Sequence, residues 1–223
     1  VHSGVSDVEP DARVGDVIAK LDADEPVESV QRMQQFELRQ SNVRGAWDDP
    51  YLALQRSLED SGITHAHRWS TGKGVRIAVI DTGIDVKHPD LRGQAVDVRN
   101  FISDDRRAAD RHGTAVAGVI ASVANNRQGI VGVAPGARLL ALQACTQRNA
   151  EGRGSCTSFS LARALDHAIT AGSDVLDLSL GGPSDRLIAR LLAKAIEQDI
   201  VVVAARADGK PGAAFPASLP GVI

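Results

Sequence analysis

Short apolar runs alternate with amphipathic helical patterns along most of this 223-residue chain, and this alternation constrains the fold more than any other feature. The runs have the length of strands, and the segments between them repeat apolar residues with helical spacing. Strands separated by single helices form parallel β-α-β crossovers. The sequence therefore predicts an α/β domain in three layers, with a mainly parallel central sheet and helices on both faces.

Four strands and three helices follow from this pattern. The predicted strands are residues 75–80, 138–144, 175–179 and 200–205, and the predicted helices are about 113–124, 158–169 and 187–196. Before residue 47 the chain is acidic and polar, with one candidate helix at about 27–39 that has Pro26 at its start. We therefore expect residues 1–46 to be an N-terminal extension, either the tail of a propeptide or a linker, and residues 47–223 to be the main domain.

Charge and composition argue against two classes of partner. The net charge is -3 and aromatic residues make up 3% of the chain, so neither a basic field nor stacking platforms favour nucleic acid. No segment reaches the roughly 18 uninterrupted apolar residues of a membrane-spanning helix. We expect no nucleic-acid partner and no membrane span. The Gly-rich turn Thr71-Gly-Lys-Gly74 precedes its strand, whereas a phosphate-binding loop follows one.

Two residues could form a catalytic pair. Asp81 directly follows the first strand, and in parallel sheets functional sites collect at the carboxyl ends of strands. His112 comes at the predicted start of the next helix. Alone, Asp81 could be a turn residue and His112 a structural histidine. Together they suggest catalysis, because a buried aspartate can orient an imidazole that acts as general base.

The motifs around this pair resemble those of the subtilisin-like serine proteases. The motifs occur in the family's order from about Asp49 to Ile223: Asp81-Thr-Gly-Ile-Asp85, His88-Pro-Asp-Leu91, His112-Gly-Thr-Ala-Val-Ala-Gly118, Gly132-Val-Ala-Pro135, Asp177-Leu-Ser-Leu-Gly-Gly-Pro-Ser184 and Phe215-Pro-Ala217. The resemblance implies a subtilisin-like fold and a serine endopeptidase, with Asp81 and His112 as two members of an Asp–His–Ser triad.

The third member of the triad is not in this sequence. The family's nucleophile lies in a Gly-Thr-Ser segment well after the Phe-Pro-Ala motif, and no such segment occurs here. We expect that residues 47–223 are a partial peptidase domain whose C-terminal part is missing, and that this chain alone is inactive. The alternative is a non-catalytic, peptide-binding pseudoprotease on the same fold.

The resemblance also assigns an oxyanion position and two substrate walls. The family carries an asparagine amide where this chain has Asp208, and an ionised aspartate cannot donate a hydrogen bond to an oxyanion. Asp208 is therefore a doubtful oxyanion residue. The walls implied for an extended peptide substrate are Ser179, Leu180 and Gly181 on one side and Gly154 and Ser155 on the other.

A structural calcium ion is a further implication of the resemblance. The family's tight site uses carboxylate, amide and backbone carbonyl oxygens, which suit Ca²⁺. The matching residues are Asp49, Asp90 and Asn126, with backbone carbonyls of Ala124, Gln128 and Ile130. The same residues could instead form an ordinary capped loop.

Cys145 and Cys156 are the two cysteines, and they flank the loop that leads to one substrate wall. They could be free thiols or could close this loop with a disulfide. A disulfide would favour an oxidising compartment, so we expect a secreted or periplasmic protein. We also expect a monomer whose partners are protein or peptide substrates and its own propeptide.

Overall fold

The computed structural model describes residues 13–23, 47–102, 109–147, 154–206 and 214–223. The chain divides into two units, residues 1–42 and 43–223. In the first unit the described part is helix α1 (Val14–Asp22). The helix predicted at about 27–39 lies outside the described residues. No helix within the described ranges is both long and apolar enough to cross a membrane.

The second unit alternates strands and helices. Its strands are β1 (Arg76–Asp81), β2 (Ala95–Asn100), β3 (Arg138–Gln143), β4 (Cys145–Gln147), β5 (Gly154–Cys156), β6 (Val175–Leu178) and β7 (Val201–Ala204). Its helices are α2 (Arg56–Asp60), α3 (Ile63–Ala66), α4 (Arg111–Ala121), α5 (Ser158–Thr170) and α6 (Arg186–Glu197), with 3-10 turns at Leu52–Leu54 and Pro89–Leu91. Five strands form a parallel sheet in the order β2-β3-β1-β6-β7, and β4 pairs with β5 in an antiparallel hairpin.

Alternate residues of the central strand β1 pack on opposite faces of the sheet. Ala78 and Ile80 belong to the core that includes buried residues of α5 and α6. Ile77 and Val79 belong to a second core that includes Ala117 of α4. Because successive strand side chains point to opposite faces, this alternation shows that α4 covers one face and α5 with α6 cover the other.

The predicted α/β fold, with a mainly parallel sheet between two helical layers, is confirmed. All four predicted strands and three predicted helices of the domain are present, with shifted ends. Helix α4 ends at Ala121 rather than near residue 124, because Ser122 is no longer helical (ψ 140°). The structure adds β2, the β4–β5 hairpin and the short helices before β1. Val222 forms a parallel bridge to Val202 of β7.

Candidate active site

Strand register and helix position bring Asp81 and His112 together. Asp81 is the last residue of β1 and lies two residues after Val79, on the sheet face that α4 covers. His112 lies in the first turn of α4. The imidazole Nε2 is 3.4 Å from the Asp81 Oδ2 atom. The predicted pair is therefore in contact at the carboxyl end of the central strand.

The Asp81 carboxylate is buried and only partly satisfied. Its side chain is 4% exposed, and the Thr82 backbone N–H donates to Oδ1 at 2.5 Å. Oδ2 has no hydrogen-bond partner among the described residues. Burial raises the pKa of Asp81, and the Thr82 N–H and the His112 charge oppose this rise. A protonated His112 therefore stabilises the Asp81 anion in a place where water cannot.

His112 faces the solvent on its other side. Its side chain is 50% exposed, whereas that of Asp81 is almost fully buried. An imidazole held by a carboxylate at one nitrogen can accept a proton at the other. Here Nε2 faces Asp81, and rotation of the ring by half a turn would present Nδ1 instead. In the orientation described, no hydrogen bond from a described residue occupies Nδ1, which leaves that nitrogen available for proton transfer.

Thr82 and Asp110 position the histidine, and the sequence analysis missed both. The Asp110 carboxylate caps α4 by accepting from the His112 N–H at 2.7 Å, and it accepts from the Thr82 hydroxyl at 2.8 Å. The Gly113 N–H in turn donates to the Thr82 hydroxyl oxygen at 3.1 Å. The first turn of α4 is thus tied to the end of β1. The sequence does contain an indication of the role of Asp110, because an aspartate before a helical run is a common N-cap.

The predicted substrate walls line one cleft with the catalytic pair. The cleft is about 530 Å³ in volume, and all five predicted wall residues, Ser179, Leu180, Gly181, Gly154 and Ser155, contribute to it with Asp81 and His112. One wall follows β6, and the other belongs to β5. Such an open cleft between two backbone segments can accept an extended peptide.

A disulfide anchors the β5 wall. Cys145 of β4 and Cys156 of β5 are directly opposite in the hairpin, with their Cα atoms 4.2 Å apart, and they are bonded to each other. The structure thus agrees with the disulfide interpretation of these two cysteines rather than with two inert thiols. The bond fixes the register of β5, whose residues Gly154 and Ser155 form the wall.

A second carboxylate lies beside the pair. Asp177 of β6 is in register with Val79 of β1, and its half-buried side chain accepts from the Ser179 hydroxyl at 3.2 Å. Burial raises the pKa of Asp177, and the negative charge of Asp81 adds to the rise. The sequence analysis assigned Asp177 no role. The doubtful oxyanion residue Asp208 lies outside the described residues.

The residues predicted to bind calcium surround one loop. Asp49 is 5% exposed and accepts from the backbone N–H groups of Asn125 and Asn126. Asp90 is 3% exposed and accepts from the Ile130 N–H at 2.9 Å and from the Asn126 side-chain amide at 2.8 Å. Both carboxylates are therefore held by the loop that contains Ala124, Gln128 and Ile130.

The oxygen donors around this loop are of the chemical type that binds a hard cation. Neither Asp49 nor Asp90 is paired with a Lys or Arg side chain in the described part of the chain, so two buried negative charges share one loop. Gly129 (φ +49°) leaves the space that the Asp90 carboxylate occupies, since a Cβ there would overlap it. The described residues contain no cluster of three acidic, His or Cys ligands, so a cation would depend on amide and backbone oxygens as well. The Asn126 amide presents its nitrogen to Asp90, and cation binding would require its oxygen there.

A parallel α/β domain with a buried aspartate and an exposed histidine at the edge of an open cleft is typical of triad hydrolases. A sequence profile described as the subtilase family matches residues 72–223, which is more than half of the chain. The chain therefore belongs to the subtilase family.

Several curated proteases are similar to the chain in sequence. The thermophilic serine proteinase of Bacillus sp. (strain AK1) is 40% identical over 144 residues, 61% of this chain and 34% of that protein. Thermitase of Thermoactinomyces vulgaris is 37% identical over 60% of this chain and 48% of that protein. The major intracellular serine protease of Bacillus subtilis (strain 168) is 36% identical over 60% of this chain and 43% of that protein. The matched part thus spans about a third to a half of each relative.

Proposed function

We propose that the protein containing this chain is a subtilisin-like serine endopeptidase, which hydrolyses peptide bonds in proteins through an Asp–His–Ser triad. The observation that carries the proposal is the contact between buried Asp81 and exposed His112 in a two-walled cleft. Membership of the subtilase family and the names of the related serine proteases support it. The serine would come from residues after Ile223.

The pair has a defined part in this reaction. His112 takes the proton of the serine hydroxyl as the serine oxygen attacks the carbonyl carbon of the substrate. His112 then gives that proton to the leaving amine, and a water molecule hydrolyses the acyl-enzyme by the same route. Asp81 orients the imidazole and stabilises its cationic form, because it is an anion within 3.4 Å in a buried place.

A probe that labels activated serines tests the proposal. We define the extended protein as this chain together with any residues that its gene encodes after Ile223. A fluorophosphonate probe is expected to label the extended protein but not residues 1–223 alone. In a separate assay without the probe, the extended protein is expected to cleave casein and residues 1–223 alone are not. Labelling of residues 1–223 would refute the absence of a nucleophile from this chain.

The pseudoprotease alternative predicts a different result in the same assay. An extended protein that binds peptides but neither reacts with the probe nor cleaves casein would establish a non-catalytic binder. The sequence after Ile223 offers an earlier indication, because a Gly-Thr-Ser segment there favours the protease.

The proposed site of action is outside the cytoplasm, in a secreted or periplasmic monomer. The Cys145–Cys156 disulfide supports an oxidising compartment. The relatives named above include one whose name calls it intracellular, so the disulfide is the main support. We also propose that residues 1–46 act as an N-terminal extension, either the tail of a propeptide or a linker.

We also propose that Asp49, Asp90 and the Asn126 amide hold a structural Ca²⁺ ion, with the backbone carbonyls of Ala124, Gln128 and Ile130. The ion would offset two buried charges that have no basic partner in the described residues. Chelation by EGTA is therefore expected to lower the Tm of the extended protein. For calcium at a hundred times its Kd the loss is about 2.7 kcal/mol, or about 5–10 °C.

A matched pair of variants separates a specific site from a general salt effect. Asp90→Asn should remove the response of Tm to calcium, while Asp60→Asn, at an exposed position of α2, should retain it. Differential scanning fluorimetry with calcium, magnesium and EGTA measures both. If calcium does not change the Tm of the extended protein without substitutions, which we call the parent protein, the proposal is contradicted.

A further inference from the structure

The cleft carries a second carboxylate besides Asp81, and its described lining residues include no Lys or Arg side chain. The ionisable lining residues are Asp81, His112 and Asp185. Asp185 follows the Ser179–Gly181 wall by four residues and caps helix α6. It therefore belongs to the same cleft as the catalytic pair but to a different element.

Hydrogen bonds hold the Asp185 carboxylate in one orientation. Oδ1 accepts from the backbone N–H groups of Leu187 and Ile188 at 2.8 and 3.1 Å. Oδ2 accepts from the Ser158 hydroxyl at 2.5 Å, which links the start of α6 to the start of α5 in the lining of the cleft. The Ser158 hydrogen bond, followed by the backbone N–H of Ile188, lowers the pKa of Asp185, so the carboxylate is charged at neutral pH.

The surroundings of Asp185 suit a long basic side chain. Asp185 forms no ion pair with any basic residue in the part of the chain that the structure describes. Arg163 of α5 instead lies over the rings of Phe101 and Phe159, 5.6 Å from each centroid. Leu161, Leu180 and Pro183 line the same cleft as Asp185 and give it apolar surface. Lysine and arginine bury their aliphatic stems on such surface and keep the charge at a polar group.

We propose that Asp185 is a specificity-determining residue that selects a lysine or arginine of the substrate at one position distant from the bond that is cleaved. This inference rests on the proposed peptidase function, because it places the substrate along the cleft from His112 to Asp185. The carboxylate supplies complementary charge, which favours correct partners and disfavours acidic ones. An acidic substrate residue at that position meets like charge and is rejected.

A series of peptides assayed with three proteins tests the proposal. Each peptide carries one lysine, norleucine or glutamate at a different distance from the cleaved bond. The extended protein is compared with Asp185→Asn, which retains helix capping because asparagine caps as well as aspartate. Asp166→Asn removes the same charge from an exposed position of α5 outside the cleft.

We expect one distant position at which lysine raises kcat/KM about fivefold over norleucine in the extended protein and in Asp166→Asn. Asp185→Asn should reduce this ratio below about twofold, and 0.5 M salt should do the same to the parent protein. A lysine preference that survives Asp185→Asn, or no preference at any position, would overturn the inference.

Peptide binding separates this inference from the proposed function. The same peptides are titrated, by fluorescence anisotropy, into His112→Ala protein with and without Asp185→Asn. If no peptide is cleaved by the extended protein but lysine peptides bind more tightly in the presence of Asp185, the peptidase proposal fails and the role of Asp185 stands. If cleavage occurs but binding and kcat/KM show no dependence on Asp185, the inference fails alone.

Discussion

The His112→Ala variant of the extended protein is expected to cleave peptide substrates about 10⁴-fold more slowly than the parent protein. Among the described residues that line the cleft, His112 is the one imidazole, and it is 3.4 Å from the Asp81 carboxylate. The other ionisable lining residues are the carboxylates Asp81, which His112 contacts, and Asp185, which caps α6. The loss should appear in kcat rather than KM, because the two cleft walls still bind the peptide.

The fold should not change in His112→Ala. Its side chain is half exposed, so little apolar packing is lost, and its Tm should stay close to that of the parent protein. His65→Ala is the control, since it removes an imidazole of α3 that does not line the cleft. Full activity in His112→Ala would exclude His112 from the mechanism.

Gly113→Ala is expected to impair both stability and turnover although Gly113 takes no part in the chemistry. A Cβ at this position would lie 2.7 Å from the Thr82 carbonyl oxygen and 3.0 Å from that of Gly83. Because both are backbone atoms, the first turn of α4 would have to move away from the end of β1. We expect a loss of about 1–3 kcal/mol in the free energy of unfolding. We also expect a fall in kcat of about 10²-fold, since small displacements of catalytic groups have such effects.

Gly118→Ala supplies the matched control on the same helix. A Cβ there would lie 3.5 Å from the Ser122 hydroxyl, which is ordinary contact, and alanine is the better helix former by about 1 kcal/mol. Urea unfolding and peptide cleavage should therefore show unchanged or higher stability and unchanged kcat for Gly118→Ala. Equal behaviour of the two variants would contradict the close approach of α4 to β1.

The central part of the fold could be predicted because its strands are buried on both faces. Residues of β1 and β3 form continuous apolar runs, which identify a parallel sheet. Strand β2 escaped prediction because it is an edge strand with the polar residues Asp97, Arg99 and Asn100 among its apolar ones. The β4–β5 hairpin escaped because its strands are three residues long, too short for any periodicity.

The sequence predicted those site residues that stand in a recognisable motif. It did not predict the residues whose role depends only on their position in three dimensions. Asp81 and His112 stand in motifs that resemble a known family. Thr82, Asp177 and Asp185 acquire their surroundings from strand pairing and from hydrogen bonds at the helix starts. Those contacts join residues about 30 or more positions apart or on separate elements, and a single sequence does not report them.

The disulfide of the hairpin also restrains the β5 wall independently of the residues between the two strands. The bond closes a small covalent ring from Cys145 to Cys156, and the pairs Thr146–Ser155 and Gln147–Gly154 follow it inside the ring. Because these links fix the alignment of the two strands, we expect the backbone of the β5 wall to tolerate substitutions between them. The ring is thus a location where sequence can be exchanged, in evolution or by engineering, while the covalent link holds the β5 wall beside Thr82.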